Sequence, residues 1–459
     1  MSMSFSPGLI RKYDVAGPRY TSYPTAVQFT LAFGAKEFAA QPSVIAGRAN
    51  GGPLSLYVHI PFCAKVCFYC ACTKVVTRNR ARGAEYLERL LREIPRRAAL
   101  HGGHREVHQL HLGGGTPTFL DLDQLARLLD ALRGAFRVAP DCEISIEVDP
   151  RTVDPSTIRS LRGLGFNRLS LGIQDFDPRV QLAVNRVQSE SSTVAVVAAA
   201  REAGFDSLSF DLIYGLPRQT LASFGRTVAK TIALRPDRLS LFNYAHLPHL
   251  FKTQRQIDAS QLPAADEKLA LLGSAIGMLG DAGYDAIGMD HFALPDDELA
   301  RARRAGTLQR NFQGYSTRAG CDLIGFGMSA ISSFDDCFAQ NAKELDEYQA
   351  RIDEGGIPVV RGYALSDDDR LRRAVIMGLA CQGEIDIPAL EARWSIDFAS
   401  AFAAELAALA GMADDGLVAL DARRIRVLPP GMLLLRNICM CFDRYLRPAE
   451  SSQRFSRAI

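Results

Sequence analysis

Cys63, Cys67 and Cys70 are spaced Cys-x3-Cys-x2-Cys, and a further thiol, Cys72, follows two residues later. Three thiolates in such a run can hold three irons of a [4Fe–4S] cluster and leave the fourth iron open to a substrate or cofactor. Four protein ligands usually signal electron transfer, whereas three point to chemistry at the open iron. The alternatives are a zinc knuckle or a set of unrelated buried thiols. Zinc favours ligand pairs from two separated places, and the chain has no second Cys-x2-Cys pair. Spacing alone leaves Cys72 open between spare ligand, redox participant and packing residue.

Downstream stand other groups able to meet a ligand. Gly113-Gly114-Gly115-Thr116-Pro117-Thr118 offers backbone that a ligand can approach with no Cβ in the way. By itself such a run more often marks a tight turn. Glu147 can accept hydrogen bonds from a ribose diol, and Arg186 can clamp a carboxylate in a bidentate fork. Gln174 and Asp211 are modest signals alone.

These residues need a scaffold. Strand-like runs at Leu54–Ile60, Val107–Leu112, Glu143–Val148, Arg168–Ile173, Ser207–Ile213 and Arg238–Tyr244 alternate with helical patterns. One helix carries Tyr86, Leu87, Leu90, Leu91 and Ile94 on a single stripe. Another carries Leu122, Leu125, Leu128, Leu129, Leu132 and Phe136. Such alternation predicts βα units around a parallel sheet. Ligand-binding loops then belong at the carboxyl ends of the strands. The cysteine run, the glycine run, Glu147, Gln174, Asp211 and Tyr244-Ala245 all fall at that rim. Residues 1–50, rich in turn formers and tyrosines at 17–25, form an ordered arm. Residues 51–360 form the barrel and its extension. Residues 361–459 form a mostly helical domain, opened by an N-cap at Ser366 with Leu371, Val375 and Leu379 on one stripe.

The chain has 459 residues and a formal net charge of +2, so its charge balance does not call for nucleic acid. No apolar run has transmembrane length, and the start lacks a signal-peptide core. Ten cysteines, four of them in one short loop, suit a reducing cytoplasm better than a disulfide scaffold. No coiled-coil seam demands a partner, and a monomer is expected.

With an aromatic, Tyr69, just before Cys70, the cysteine run resembles the radical S-adenosylmethionine (SAM) superfamily. Gly17–Thr25, Asn311–Tyr315, Cys321–Gly327 and Arg436–Asp443 narrow the resemblance to the oxygen-independent coproporphyrinogen III oxidase family, over essentially the whole chain. It implies an α/β partial (β/α)6 barrel with the arm and the helical domain. It implies a [4Fe–4S] cluster on Cys63, Cys67 and Cys70 and two SAM molecules. Carried over residue by residue, the first SAM contacts Tyr57, Gly114, Glu147 and Ile331. The second contacts Tyr69, Gly115, Thr116, Gln174, Arg186, Asp211 and Ala245. The family often has Phe where this chain has Tyr69. The implied reaction turns two propionates of coproporphyrinogen III into vinyls through a 5′-deoxyadenosyl radical, with an unidentified low-potential electron donor. A substrate with four carboxylates calls for apolar walls and a few arginines or lysines, with Arg19 of the arm a candidate lid residue. Rival readings are a haem chaperone on the same scaffold and a radical SAM enzyme of other chemistry, such as a methyltransferase. Cys72 and the arm favour the oxidase over the chaperone.

Overall fold

The computed structural model describes residues 5–446; residues 1–4 and 447–459, the latter part of the expected helical domain, lie outside the described residues. Its main sheet has twelve strands. Six are the expected ones: β1 Leu54–Ile60, β2 Glu106–Gly114, β3 Arg137–Val148, β4 Arg168–Gln174, β5 Ser207–Tyr214 and β6 Arg238–Asn243. The remainder are β7 Asp285–Gly288, β8 His291–Ala293, β9 Asp322–Phe326, β10 Ile331–Ser333, β11 Cys337–Asn341 and β12 Val359–Ala364. The spatial order is β12-β11-β10-β9-β1-β2-β3-β4-β5-β6-β8-β7. Seven strands, β9 and β1 to β6, run parallel. Antiparallel strands extend both edges.

Between β1 and β6 the connections carry α1 Ala81–His101, α2 Leu122–Ala135, α3 Pro155–Gly163, α4 Glu190–Glu202 and α5 Leu221–Leu234; α6 Ala265–Asp281 follows β6. This is the partial (β/α)6 barrel. The stripes read from sequence do face the sheet. Tyr86, Leu87, Leu90 and Ile94 on α1 are fully buried, as are Leu128, Leu129 and Leu132 on α2, and each such apolar side chain contributes about 2 kcal/mol. Asp121 starts α2 with a capping box: its carboxylate accepts from Gln124 N at 2.8 Å, and Gln124 Oε1 accepts from Asp121 N at 3.1 Å.

The strands alternate in a way that exposes the barrel's purpose. Their outer residues, Leu56, Val58, Leu110, Leu112, Ile146, Leu169, Leu171, Phe210 and Leu239, are buried. The alternate positions face the lumen and are polar or small: Ser55, Tyr57 and His59; Gln109, His111 and Gly113; Glu143, Ser145 and Glu147; Ser170 and Gly172; Ser209 and Asp211. Fully covered parallel strands normally read as unbroken apolar runs. Here the lumen is left polar, as a ligand-holding interior must be.

The arm packs into both cores rather than trailing free: Phe33, Phe38 and Val44 join the main core, and its tyrosines join a second one. Tyr20 and Tyr23 are buried with Leu371, Val375 and Leu379 of α7, Asp367–Gln382. Tyr20 OH donates to Asp443 Oδ2 at 2.9 Å. Ser366 caps α7 by accepting from Asp369 N. The C-terminal region also holds a small antiparallel sheet, Glu384–Asp386, Val418–Leu420 and Arg424–Val427, which the helical expectation did not include.

Candidate active site

The cysteine loop leaves the carboxyl end of β1 and is fastened on several sides. Phe68 N donates to Val184 O at 3.0 Å, and Asn185 Nδ2 donates to Val66 O at 2.8 Å. Lys74 Nζ and Thr253 Oγ1 donate to Cys70 O at 3.0 and 3.1 Å. Gln254, almost wholly buried, donates from Nε2 to both Tyr69 O and Ala245 O at 3.1 Å, and its Oε1 accepts from Leu247 N at 2.6 Å. One amide thus joins the cysteine loop to the loop after β6. Gln254 and Thr253 carry no sequence signal; only the fold brings them here.

The thiols differ in setting. Cys67 is buried, Cys63 and Cys70 are half-buried, and Cys72 is exposed. Thr116 Oγ1 lies 3.5 Å from Cys63 Sγ. Two guanidiniums point at Cys67: Arg151 Nη2 at 3.4 Å and Arg186 Nη1 at 3.5 Å from Sγ. Soft thiolate donors beside cationic N–H groups suit an anionic iron–sulfur cluster, whose charge those groups offset.

Around the loop the strand ends deliver the other candidates. Glu147 accepts from Gly114 N at 3.1 Å and pairs with His111 Nε2 at 3.2 Å, while His111 Nδ1 lies 2.5 Å from Ser145 Oγ. Burial pushes the Glu147 carboxyl up, but the His111 and Gly114 contacts outweigh it and hold the group below its usual range. Gly114 has φ +116°, and a Cβ there would lie 2.6 Å from the His59 ring. Its glycine is demanded by the neighbouring strand as well as by any ligand. Tyr57 stacks on His111 with centroids 5.8 Å apart, and its OH lies 3.0 Å from His59 Nδ1. Burial lowers His59 to about 4, so the ring is neutral. Its Nε2 then carries the proton donated to Thr73 O at 3.0 Å, and Nδ1 accepts from Tyr57.

On the other half of the rim, Arg186 forms a two-pronged pair with Asp149, at 3.2 and 3.3 Å, and also donates to Gly172 O. The carboxylate it clamps is therefore one of the protein's own. Gln174 sits at the end of β4 with φ 66°. A Cβ on Gly172 would lie 2.8 Å from Gln174 Nε2 and 2.9 Å from Arg186 Nη2, so the glycine makes room for both. Asp211, beside Gly172 and Ser240 in register, is raised to about 7 by burial and by the nearby Glu147 charge.

The candidates thus fall into two groups across the sheet. Tyr57, Gly114 and Glu147 lie on β1 to β3. Ile331 lies on β10, two strands beyond Tyr57: Gly325 of β9 pairs with Tyr57, and a Cβ on Gly325 would meet Ile331 O at 2.7 Å. Gln174, Arg186, Asp211 and Ala245 occupy the β4 to β6 side, with Tyr69 tied to Ala245 through Gln254. Gly115 and Thr116 lie between the two groups; Gly115 N donates to Ile60 O at 2.8 Å.

The radical SAM superfamily model matches residues 57–230, and the HemN C-terminal domain model matches residues 365–434. Oxygen-independent coproporphyrinogen III oxidases from Escherichia coli and Pseudomonas aeruginosa are 51% and 52% identical to the chain, over 98% of this chain and of each relative. The chain belongs to the oxygen-independent coproporphyrinogen III oxidase family. The solved structure described as coproporphyrinogen III oxidase (HemN) from E. coli, a radical SAM enzyme, superposes with a TM-score of 0.92 at 50% identity, covering 97% of this chain and 100% of that one. Membership in this radical SAM family brings a [4Fe–4S] cluster and SAM as cofactors. Among the described residues no three His, Cys, Asp or Glu side chains converge on one metal ion, as befits thiols that would each hold a different iron. The haem-chaperone, methyltransferase and zinc readings are not favoured.

Proposed function

We infer that the protein is an oxidoreductase of porphyrin and haem biosynthesis. It decarboxylates two propionates of coproporphyrinogen III to vinyls without oxygen, giving protoporphyrinogen IX. The carrying observation is whole-length similarity to oxidases of that name, together with a thiol trio at the head of a polar barrel lumen. When bound, the cluster and SAM supply a 5′-deoxyadenosyl radical, chemistry that acid–base side chains cannot provide. Each propionate then loses a hydrogen atom from its β-carbon to that radical, followed by CO2 and one electron, which passes to an unidentified acceptor.

The chain's own residues position and shield. Cys63, Cys67 and Cys70 hold the cluster, with Arg151 and Arg186 offsetting charge at Cys67. Two SAM molecules bind, one on each half of the rim. The first meets Tyr57, Gly114, Glu147 and Ile331. The second meets Tyr69, Gly115, Thr116, Gln174, Arg186, Asp211 and Ala245. Glu147 is ionised and suited to accept from a ribose diol. Gln254 and Asn185 keep the cysteine loop in register with the strands. The arm spans residues 1–50, the barrel and its extension 51–360, and the mostly helical domain 361–459. The protein works as a cytoplasmic monomer with a low-potential electron donor and needs no nucleic acid or membrane; no helix of the described residues is long and apolar enough to cross one.

The deciding experiment is anaerobic turnover. Reconstituted protein, SAM, reductant and coproporphyrinogen III should yield 5′-deoxyadenosine, CO2 and protoporphyrinogen IX. Tight haem binding without vinyl formation, or a methylated product, overturns the reading. Titrating SAM against the oxidised cluster-loaded protein, which binds SAM without cleaving it, should give two equivalents; one equivalent removes the second site.

A further inference from the structure

Unmet polar atoms gather where the arm, β8 and the hairpin Gln309–Asn311/Gly314–Ser316 meet. Arg310 is more than nine-tenths buried, yet its Nε and Nη1 have no hydrogen-bond partner, and neither does His291 Nδ1 nearby. Arg310 lies over the Tyr315 ring at 4.6 Å, and Tyr315 packs edge-on against His291 at 5.2 Å. A buried donor left unmet is costly, so such groups normally mark an absent ligand or ordered water.

Arg310 Nη2 donates to Arg19 O at 3.3 Å, which brings the arm's guanidinium alongside. Arg19 pairs with Asp290 at 3.2 Å and lies 5.4 Å over the Phe242 ring. Phe242 is two residues beyond Ser240, which neighbours Asp211 across β5 and β6, so this cluster adjoins the rim on the lumen side. Arg19, Arg310, Arg436 and His291 all act on the Asp290 carboxyl, which they hold below its usual range against the effect of burial. Asp14 of the arm is a second acid here, facing Tyr214 and Lys268. Cations still outnumber acids.

We propose that Arg310 and Arg19 form the anchor for a substrate propionate other than the one that reacts. This rests on the substrate reading above. A tetracarboxylate needs cations beside, not at, the radical site, and guanidinium N–H groups match carboxylate oxygens. Fastening of the arm explains the Arg19–Asp290 pair but not the unmet N–H groups of Arg310. Both arginines are therefore specificity-determining.

The test uses the reconstituted holoenzyme without oxygen. Arg310→Gln and Arg19→Gln should each raise KM for coproporphyrinogen III about tenfold or more, with kcat within about threefold and SAM affinity unchanged. Coproporphyrin III, which keeps the four carboxylates, and its tetramethyl ester serve as binding probes. The acid should bind wild type more tightly than the ester, the two variants should lose that difference, and Arg310→Lys should recover part of it. Equal binding of acid and ester to wild type, or KM within about twofold of wild type in both variants, overturns the proposal. Should Arg310→Gln fail to fold, Arg19→Gln and the acid–ester comparison decide. Failure of the substrate reading is distinct: wild type would then form no vinyl product at all.

Discussion

The floor and the rim of one lumen are built from the same strands and solve opposite problems. At the floor, Glu143 accepts from Gln109 at 2.9 Å, from Arg318 at 3.1 Å and from Thr317, with Arg168 behind it at 3.9 Å. Arg238 pairs with Asp297 at 2.9 Å and with Glu298 at 3.2 Å, and Arg168 also reaches Glu298. Each of these carboxylates has a guanidinium. At the rim, Glu147 is met by an imidazole and a backbone N–H, and Asp211 keeps its proton to about pH 7. Carboxylates that each hold a guanidinium close the barrel; Glu147 and Asp211, which pair with no guanidinium among the described residues, stay available to ligands. Ion pairs toward the amino ends of the strands therefore read as structure, and polar groups at the carboxyl ends read as chemistry.

The sharpest way to break this comparison is at the rim. Replacing Cys63, Cys67 or Cys70 with serine should remove the cluster and lower vinyl formation by about a thousandfold or more, since nothing else generates the radical. Iron content and product analysis after anaerobic purification check it. The unfolding midpoint of the cofactor-free protein should barely move, because the floor is untouched. A serine variant that retains both iron and turnover would remove that thiol from the cluster.

The floor should show the reverse. Glu143→Ala leaves Arg168 and Arg318 facing a lost carboxylate, and breaking such a buried network costs about 3 kcal/mol. Urea unfolding measures it. SAM affinity per folded molecule should stay within about twofold, a separation the rim variants cannot show.

The six parallel strands and the thiol loop were legible because strand alternation and cysteine spacing are local signals. Strand six ends at Asn243 rather than Tyr244, a boundary set by loop hydrogen bonds. The seventh parallel strand, Asp322–Phe326, was not read, because it joins β1 from more than 250 residues away. The clamp by Gln254 and the floor's Arg318 were invisible for the same reason: their partners are distant in sequence. The sequence marks Arg186 as a candidate partner for a carboxylate, but only the fold shows that Asp149 is the carboxylate it holds.

A milder change at the rim is Glu147→Gln. It keeps an acceptor for Gly114 N but removes the charge, so SAM affinity should fall about tenfold while stability shifts by less than about 1 kcal/mol. Calorimetric titration and urea unfolding read the two effects. Equal losses in both would make Glu147 a structural residue like Glu143.

The smallest effect concerns Asp211, raised from 3.8 to about 7 by burial first and then by Glu147. The folded state binds this proton more tightly than the unfolded chain does. Its contribution to stability is therefore complete below about pH 4 and is lost as pH rises to about 7. In the cofactor-free protein, wild type should lose about 2–3 kcal/mol relative to Asp211→Asn between pH 5 and 7.5, and little more above that. Urea midpoints at four pH values suffice. Adding Glu147→Gln should move the transition to lower pH, because one of the charges opposing ionisation is gone. A pH-independent difference between wild type and Asp211→Asn would mean that Asp211 is already ionised at the rim, and the two ends of the lumen would differ less than their hydrogen bonds indicate.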